Sequence, residues 1–119
     1  MANDSLTLEE LAARLAEFAA ERDWDQFHSP KNLSMALAGE VGELIEHFQW
    51  LTEAQSRALP LDVKDAVSLE MADVLLYLVR LADRLDIDLA AAAARKIELN
   101  AVKYPAAEFR GSARKTDRS

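Results

Sequence analysis

Apolar residues recur every three or four positions through most of this chain, and that period predicts helices rather than strands. The first helix is predicted from Ser5–Thr7 to about Arg22. Thr7-Leu8-Glu9-Glu10 has capping-box spacing, and Leu8, Leu11, Leu15 and Phe18 line one face. The pattern breaks across Asp23 to His28, and Ser29-Pro30 then supplies a cap followed by a proline at the first helical position. The second helix carries Leu33, Ala36, Leu37, Glu40, Leu44 and Phe48 on one stripe and fades near Trp50-Leu51. Thr52 to Leu59 reads as a short helical turn. Asp62 is a possible cap for a third helix over about 63–84, with the stripe Val63, Ala66, Val67, Val74, Tyr77, Leu78 and Leu81. Asp88 caps an Ala-rich fourth helix from Leu89 to about Lys103, which must stop before Tyr104-Pro105 because the residue preceding proline disfavours helix.

Two acidic pairs interrupt this pattern, Glu40-Val41-Gly42-Glu43 and Glu70-Met71-Ala72-Asp73. Residues three apart on a helix lie about 60° apart around its axis and about 4.5 Å apart along it, so each pair presents two carboxylates on one face. Acidic pairs are common on solvated helix faces, but here Glu40 and Glu70 sit inside the apolar stripes. Unpartnered carboxylates facing a core cost several kcal/mol each, on the order of burying an unpaired charge, so a cation should lie among them. Gly39 and Gly42 point the same way. A helix-interior glycine costs about 0.5–1 kcal/mol relative to alanine, and close approach of another helix or a ligand is the expected return.

Composition narrows the cation. The chain has no cysteine and two histidines, which leaves oxygen ligands and favours Mg²⁺, with Mn²⁺ as a substitute, over zinc or copper. A di-iron bundle needs Glu-x-x-His on two helices; here both motifs end in carboxylates and His47 is four residues after Glu43. Carboxylate-held Mg²⁺ usually completes its shell with water and phosphate oxygens, so a phosphorylated substrate is expected.

The remaining composition bounds the fold. At 119 residues and 50% hydrophobic, with few Gly, Pro and β-branched residues, the chain predicts one all-α domain over 1–105, a four-helix-bundle-like fold. Residues 106–119 read as a flexible basic C-terminal tail. A net charge of −7 argues against a nucleic-acid polymer as partner. No basic N-terminal leader and no run of about 18 apolar residues occurs, so a cytoplasmic protein without a membrane partner is expected.

The ordered series Glu17 to Trp24, Gln26-Phe27-His28, Asn32-Leu33, Gly39 to Leu44, Phe48-Gln49-Trp50, Glu70, Asp73-Val74-Leu75, Tyr77-Leu78-Val79, Lys96, Asn100 and Tyr104-Pro105 resembles the all-α nucleoside triphosphate pyrophosphatases, the MazG-like superfamily. Their signature is Glu-x-x-Glu, a spacer, then Glu-x-x-Asp. The likeness covers nearly the whole chain and is nearest to the dCTP pyrophosphatase branch.

The resemblance implies hydrolysis of a deoxynucleoside triphosphate, dCTP or a modified dCTP, to the monophosphate and pyrophosphate. Glu40, Glu43, Glu70 and Asp73 would hold Mg²⁺, and Glu40 or Glu43 would act as the base orienting the attacking water. Lys96, Asn100, Tyr104 and Arg84 look like its phosphate contacts, and Trp24, Trp50, Tyr77 and His28 like its base-pocket residues. The bland alternatives are a solvated face for the cations and core or subunit packing for the tryptophans. The family resemblance also implies a homotetramer, a dimer of dimers, whose pocket borrows Trp24 or Trp50 from a neighbour. Leu15 departs from the family, standing where a histidine is expected near the base, so selectivity among pyrimidines is open. Two alternatives stand beside the dCTP reading: the same chemistry with broader nucleotide specificity, and a non-catalytic, metal-binding, oligomeric helical module.

Overall fold

The computed structural model describes residues 5–114, which contain helices and no strand. They divide into two compact units, one ending at Ile87 and one beginning at Asp88. The first holds α1 (Leu8–Glu21), α2 (Pro30–Glu46), α3 (Glu53–Ser56) and α4 (Leu61–Arg84); the second holds α5 (Leu89–Lys103) and α6 (Ala106–Phe109).

Local chemistry sets most of these boundaries. Thr7 starts α1 with a reciprocal capping box, its hydroxyl accepting from the Glu10 amide at 3.1 Å while Glu10 accepts from the Thr7 amide at 3.3 Å. Ser29 accepts from the Asn32 amide at 3.1 Å, with Pro30 in the first turn of α2. Thr52 and Gln55 repeat the capping box at α3, and Asp88 accepts from the Ala91 amide at the start of α5. One cap differs from expectation. The helix α4 starts at Leu61 behind Pro60, and Asp62 lies within its first turn rather than capping it.

Helix α2 ends at Glu46, earlier than its apolar period alone indicates, because the chain tightens into turns whose amides reach back to Leu44 and Ile45. The segment expected to be a tail opens with α6, where Phe109 packs edge-on against Tyr104 at 5.0 Å and the Arg114 guanidinium sits 4.8 Å from the Phe109 ring centre. Its last five residues, 115–119, lie outside the described residues.

Within the first unit α2 and α4 pair most extensively and α1 packs on α4. Leu33 from α2 and Val67, Val79 and Ala82 from α4 are buried there with Ala19 of α1. Three of the four predicted long helices therefore share this core. The fourth, α5, belongs to the second unit and leaves Ile97 and Val102 largely exposed. Gly39 and Gly42 do not meet the expected close approach within the chain, since a Cβ at either would touch nothing within 4 Å.

The connection from α1 to α2 is shaped by an αL turn. Asp23 has φ 55, the Trp24 amide donates to Ala19 O at 2.9 Å, and the Asp23 amide donates to Ala20 O at 3.2 Å. This is a Schellman closure with aspartate where glycine is commonest. It throws Trp24 back over α1, where its ring meets Phe18 edge-on at 5.7 Å.

Candidate active site

The acidic motifs converge because their helices pair. Glu40 and Glu43 project from α2 and Glu70 from α4, and one carboxylate oxygen from each lies within 4.8 Å of the others. Oε2 of Glu40 and Oε2 of Glu70 are buried without a hydrogen-bond partner. Polar atoms in that state are costly, and carboxylates more so than neutral groups.

The cluster shifts its own protonation. A hydrogen bond shared with Glu43 raises the Glu40 carboxyl above its usual range, helped by burial and by the charges of Glu43, Asp73 and Glu70. For Glu70 burial is the largest cause, followed by the charge of Glu43, a hydrogen bond with it, and the charge of Asp73, while His47 pulls the other way. Such crowding of anions over a partly buried floor is what a bound cation relieves. Three hard oxygen donors at this spacing, two of them with orphaned oxygens, fit Mg²⁺ or Mn²⁺. Asp73 lies outside this set of three and contributes through its charge on Glu40 and Glu70.

Asp73 also borders a cavity of about 160 Å³. Its α4 wall is Asp73, Leu76, Tyr77 and Arg80, spaced i, i+3, i+4 and i+7 on one helical face. Leu15 and Phe18 of α1, Leu33 of α2, and Trp24 and His28 from the connection complete it. The volume falls below the roughly 300–1,000 Å³ of pockets that enclose whole small molecules, so it suits one ring of a larger ligand.

Of the residues expected at a base pocket, Trp24, His28 and Tyr77 come together here. Trp50 does not; it is 86% exposed. Arg84 donates from Nε to the His28 carbonyl at 3.1 Å. Lys96 and Asn100 stand exposed one turn apart on α5, and Tyr104 ends that helix in the second unit.

Two residues escaped the sequence reading. Arg80 is only 4% exposed; its Nη2 donates to Asp25 Oδ1 at 2.7 Å, its Nε donates to His28 Nδ1 at 3.1 Å, and Asp83 Oδ2 lies 3.5 Å from Nη1. A cation in the apolar run Val74 to Ala82 was the available signal, because a buried arginine demands an acid. Asp25 lies 55 positions away, and no local pattern joins them.

Comparison with known proteins extends the picture. The profile of the MazG-like family matches residues 36–117. The chain is 51% identical over 109 residues to mouse dCTP pyrophosphatase 1, covering 90% of this chain and 64% of the relative. It is 49% identical over 111 residues to the human dCTP pyrophosphatase 1, covering 92% and 65%. The chain thus spans just under two thirds of the length of these curated relatives. A crystal structure of a pyrophosphatase from Archaeoglobus fulgidus superposes with a TM-score of 0.74 at 38% identity, covering 88% of this chain and 98% of that one.

Proposed function

The chain belongs to the MazG-like family, and on that premise we propose that it is a Mg²⁺-dependent nucleotide pyrophosphohydrolase that cleaves dCTP or a modified dCTP between the α and β phosphates. The observation that carries this reading is the pair of orphaned carboxylate oxygens, on Glu40 and Glu70, in a cluster whose neighbour Asp73 also walls a ring-sized aromatic cavity. On this reading a metal–triphosphate site and a base site are neighbours along α4. The mouse and human relatives are dCTP pyrophosphatases, which supports the substrate.

Glu40, Glu43 and Glu70 would hold the ion, with Asp73 as a fourth carboxylate. Bound Mg²⁺ supplies charge neutralisation on the phosphate oxygens as the α–β bond breaks. Glu40 or Glu43 accepts the proton of the water that attacks the α phosphorus in line, and pyrophosphate leaves. By the family resemblance, Lys96, Asn100, Tyr104 and Arg84 would contact the phosphates. Trp24 and Tyr77 pack the base, and His28 offers it a polar contact. Exposed Met35, Ile45, Trp50, Leu69 and Met71 support assembly as a homotetramer in which Trp50 reaches a neighbouring copy's pocket. A cytoplasmic place fits a nucleotide-pool enzyme, and no described helix is long and apolar enough to cross a membrane.

Leu15 at the cavity wall favours a second reading, broader pyrimidine specificity on the same scaffold. The test is pyrophosphate release from dCTP, 5-methyl-dCTP, dUTP, dTTP and the purine deoxynucleotides, with and without Mg²⁺. Release from dCTP that stops in EDTA is expected. Equal efficiency on purines rejects the pyrimidine assignment, and no release from any nucleotide leaves the non-catalytic module.

A further inference from the structure

The polar side of the ring-sized cavity has a fixed hydrogen-bonding sense. A guanidinium can only donate, so the 3.1 Å bond from Arg80 Nε requires a lone pair on His28 Nδ1 and leaves the imidazole proton on Nε2. Arg80 is held in turn by Asp25 at 2.7 Å and by Asp83. Neighbouring contacts hold the histidine's backbone: Arg84 Nε donates to the His28 carbonyl, the His28 amide donates to Asp25 O at 3.2 Å, and Ser29 caps α2. The Trp24 ring stands edge-on to the imidazole at 6.2 Å.

We propose that Arg80, anchored on Asp25, is a positioning residue that locks His28 as an Nε2–H donor in the cavity wall, so that this wall selects a base presenting a lone pair rather than an amino group.

Several observations converge on this assignment. Apart from His28, the cavity's lining side chains with polar atoms are Trp24, Asp73, Tyr77 and Arg80. Asp73 only accepts when ionised, and each of the three Arg80 nitrogens has one partner, Asp25, His28 or Asp83, which fixes the guanidinium in place. Among the donors this wall can offer, the His28 imidazole, the Trp24 indole, the Tyr77 hydroxyl and the remaining Arg80 N–H groups, the imidazole is the one whose proton is placed by a second residue. Burial, and then the positive charge of Arg80, lower the His28 pKa, with Arg84 adding to the effect and Asp25 opposing it. The ring accordingly stays neutral at pH 7, a hydrogen-bond donor without a charge. Leu15 supplies no competing polar group. The lone pairs that fit are a ring carbonyl or a pyridine-type nitrogen, both of which a pyrimidine such as cytosine carries.

This inference rests on the cavity being the base site of the proposed pyrophosphohydrolase, so its test has an arm independent of turnover. In ¹⁵N-histidine-labelled full-length protein without ligand, His28 should show the Nε2–H tautomer, with Nδ1 shifted as an unprotonated acceptor. Arg80→Lys keeps the charge for Asp25 but loses the planar fork, and the His28 shifts should move toward the tautomer average. In steady-state hydrolysis of dCTP, Arg80→Lys should raise KM roughly three- to tenfold, the loss of one well-oriented hydrogen bond, with kcat within about twofold. His28→Gln, whose amide can still donate, should retain most of the affinity. His28→Glu, which can pair with Arg80 but only accepts, should lose it. Should the wild type release no pyrophosphate, the same affinity ranking is read by titrating dCMP against tryptophan fluorescence. A wild-type Nδ1–H tautomer overturns the proposal. So does a KM rise in Arg80→Lys with His28 shifts unchanged, or His28→Glu binding as well as His28→Gln.

Discussion

Helix α4 carries two sets of charged side chains into the same packed interior, and they are in opposite conditions. Arg80 is buried and paired: Asp25, Asp83 and His28 each engage one of its three nitrogens. Glu70, almost three turns earlier, is unfinished. It faces Glu40 and Glu43 across the α2–α4 seam, and one oxygen on each of Glu40 and Glu70 has no partner. A paired network serves the fold and orients what it holds. A cluster of like charges with orphaned acceptors costs stability on its own, and is where the proposed cation would be held.

The largest effect expected from breaking this contrast is on turnover. Glu43→Ala should lower pyrophosphate release from dCTP by at least about a hundredfold, the scale of losing one main electrostatic contact in a phosphoryl-transfer site, while its circular dichroism and melting curve remain those of a folded protein. On the paired side the loss moves to stability. Asp25→Ala leaves the buried guanidinium without its 2.7 Å partner and should cost about 1–3 kcal/mol in urea unfolding, below the roughly 3–5 kcal/mol of a fully buried pair because Asp25 is half exposed and Asp83 remains.

The smallest effect separates the two regions by sign. Glu40 and Glu70 have native pKa values raised above 4.5, so the native state takes up those protons first. Their contribution to metal-free stability should therefore grow as pH falls from neutral toward 4.5. His28 has a native pKa lowered below 6.5, so the unfolded state takes up that proton first and the His28 contribution to stability shrinks as pH falls through 6.5. Melting in EDTA across pH 5–8, compared between wild type, Glu70→Gln and His28→Gln, should show the two slopes removed separately.

The same contrast explains what the sequence could disclose. The caps at Thr7, Ser29, Thr52 and Asp88 are local chemistry over three or four residues, and each reads directly from spacing. The acidic cluster is nearly as legible, because Glu40 and Glu43 are an i,i+3 pair and Glu70 belongs to a second. Asp73 of that second pair lies outside the set of three, however, and the meeting of α2 with α4 had to be supplied. Arg80 was harder to read for the converse reason: Asp83 is its one local partner, and Asp25 and His28 lie more than 50 positions away in a turn without periodicity. Gly39 and Gly42 misled in part, since their price in helix propensity is visible in sequence while the close approach that would explain it is not found within one chain. The extent of α6 was hidden by a short, cation-rich segment whose order depends on Tyr104 and Phe109 meeting across Pro105.

The central claim is that the acidic cluster awaits a cation, and paired melting curves test it most directly. Wild type and Glu70→Gln are compared at pH 8 in EDTA and again in saturating Mg²⁺. Removing one unpartnered, crowded negative charge should make Glu70→Gln the more stable protein in EDTA, and Mg²⁺ should cancel or reverse that advantage by stabilising the wild type alone. A Glu70→Gln variant that melts below wild type in EDTA, or a difference that Mg²⁺ leaves unchanged, would contradict the account.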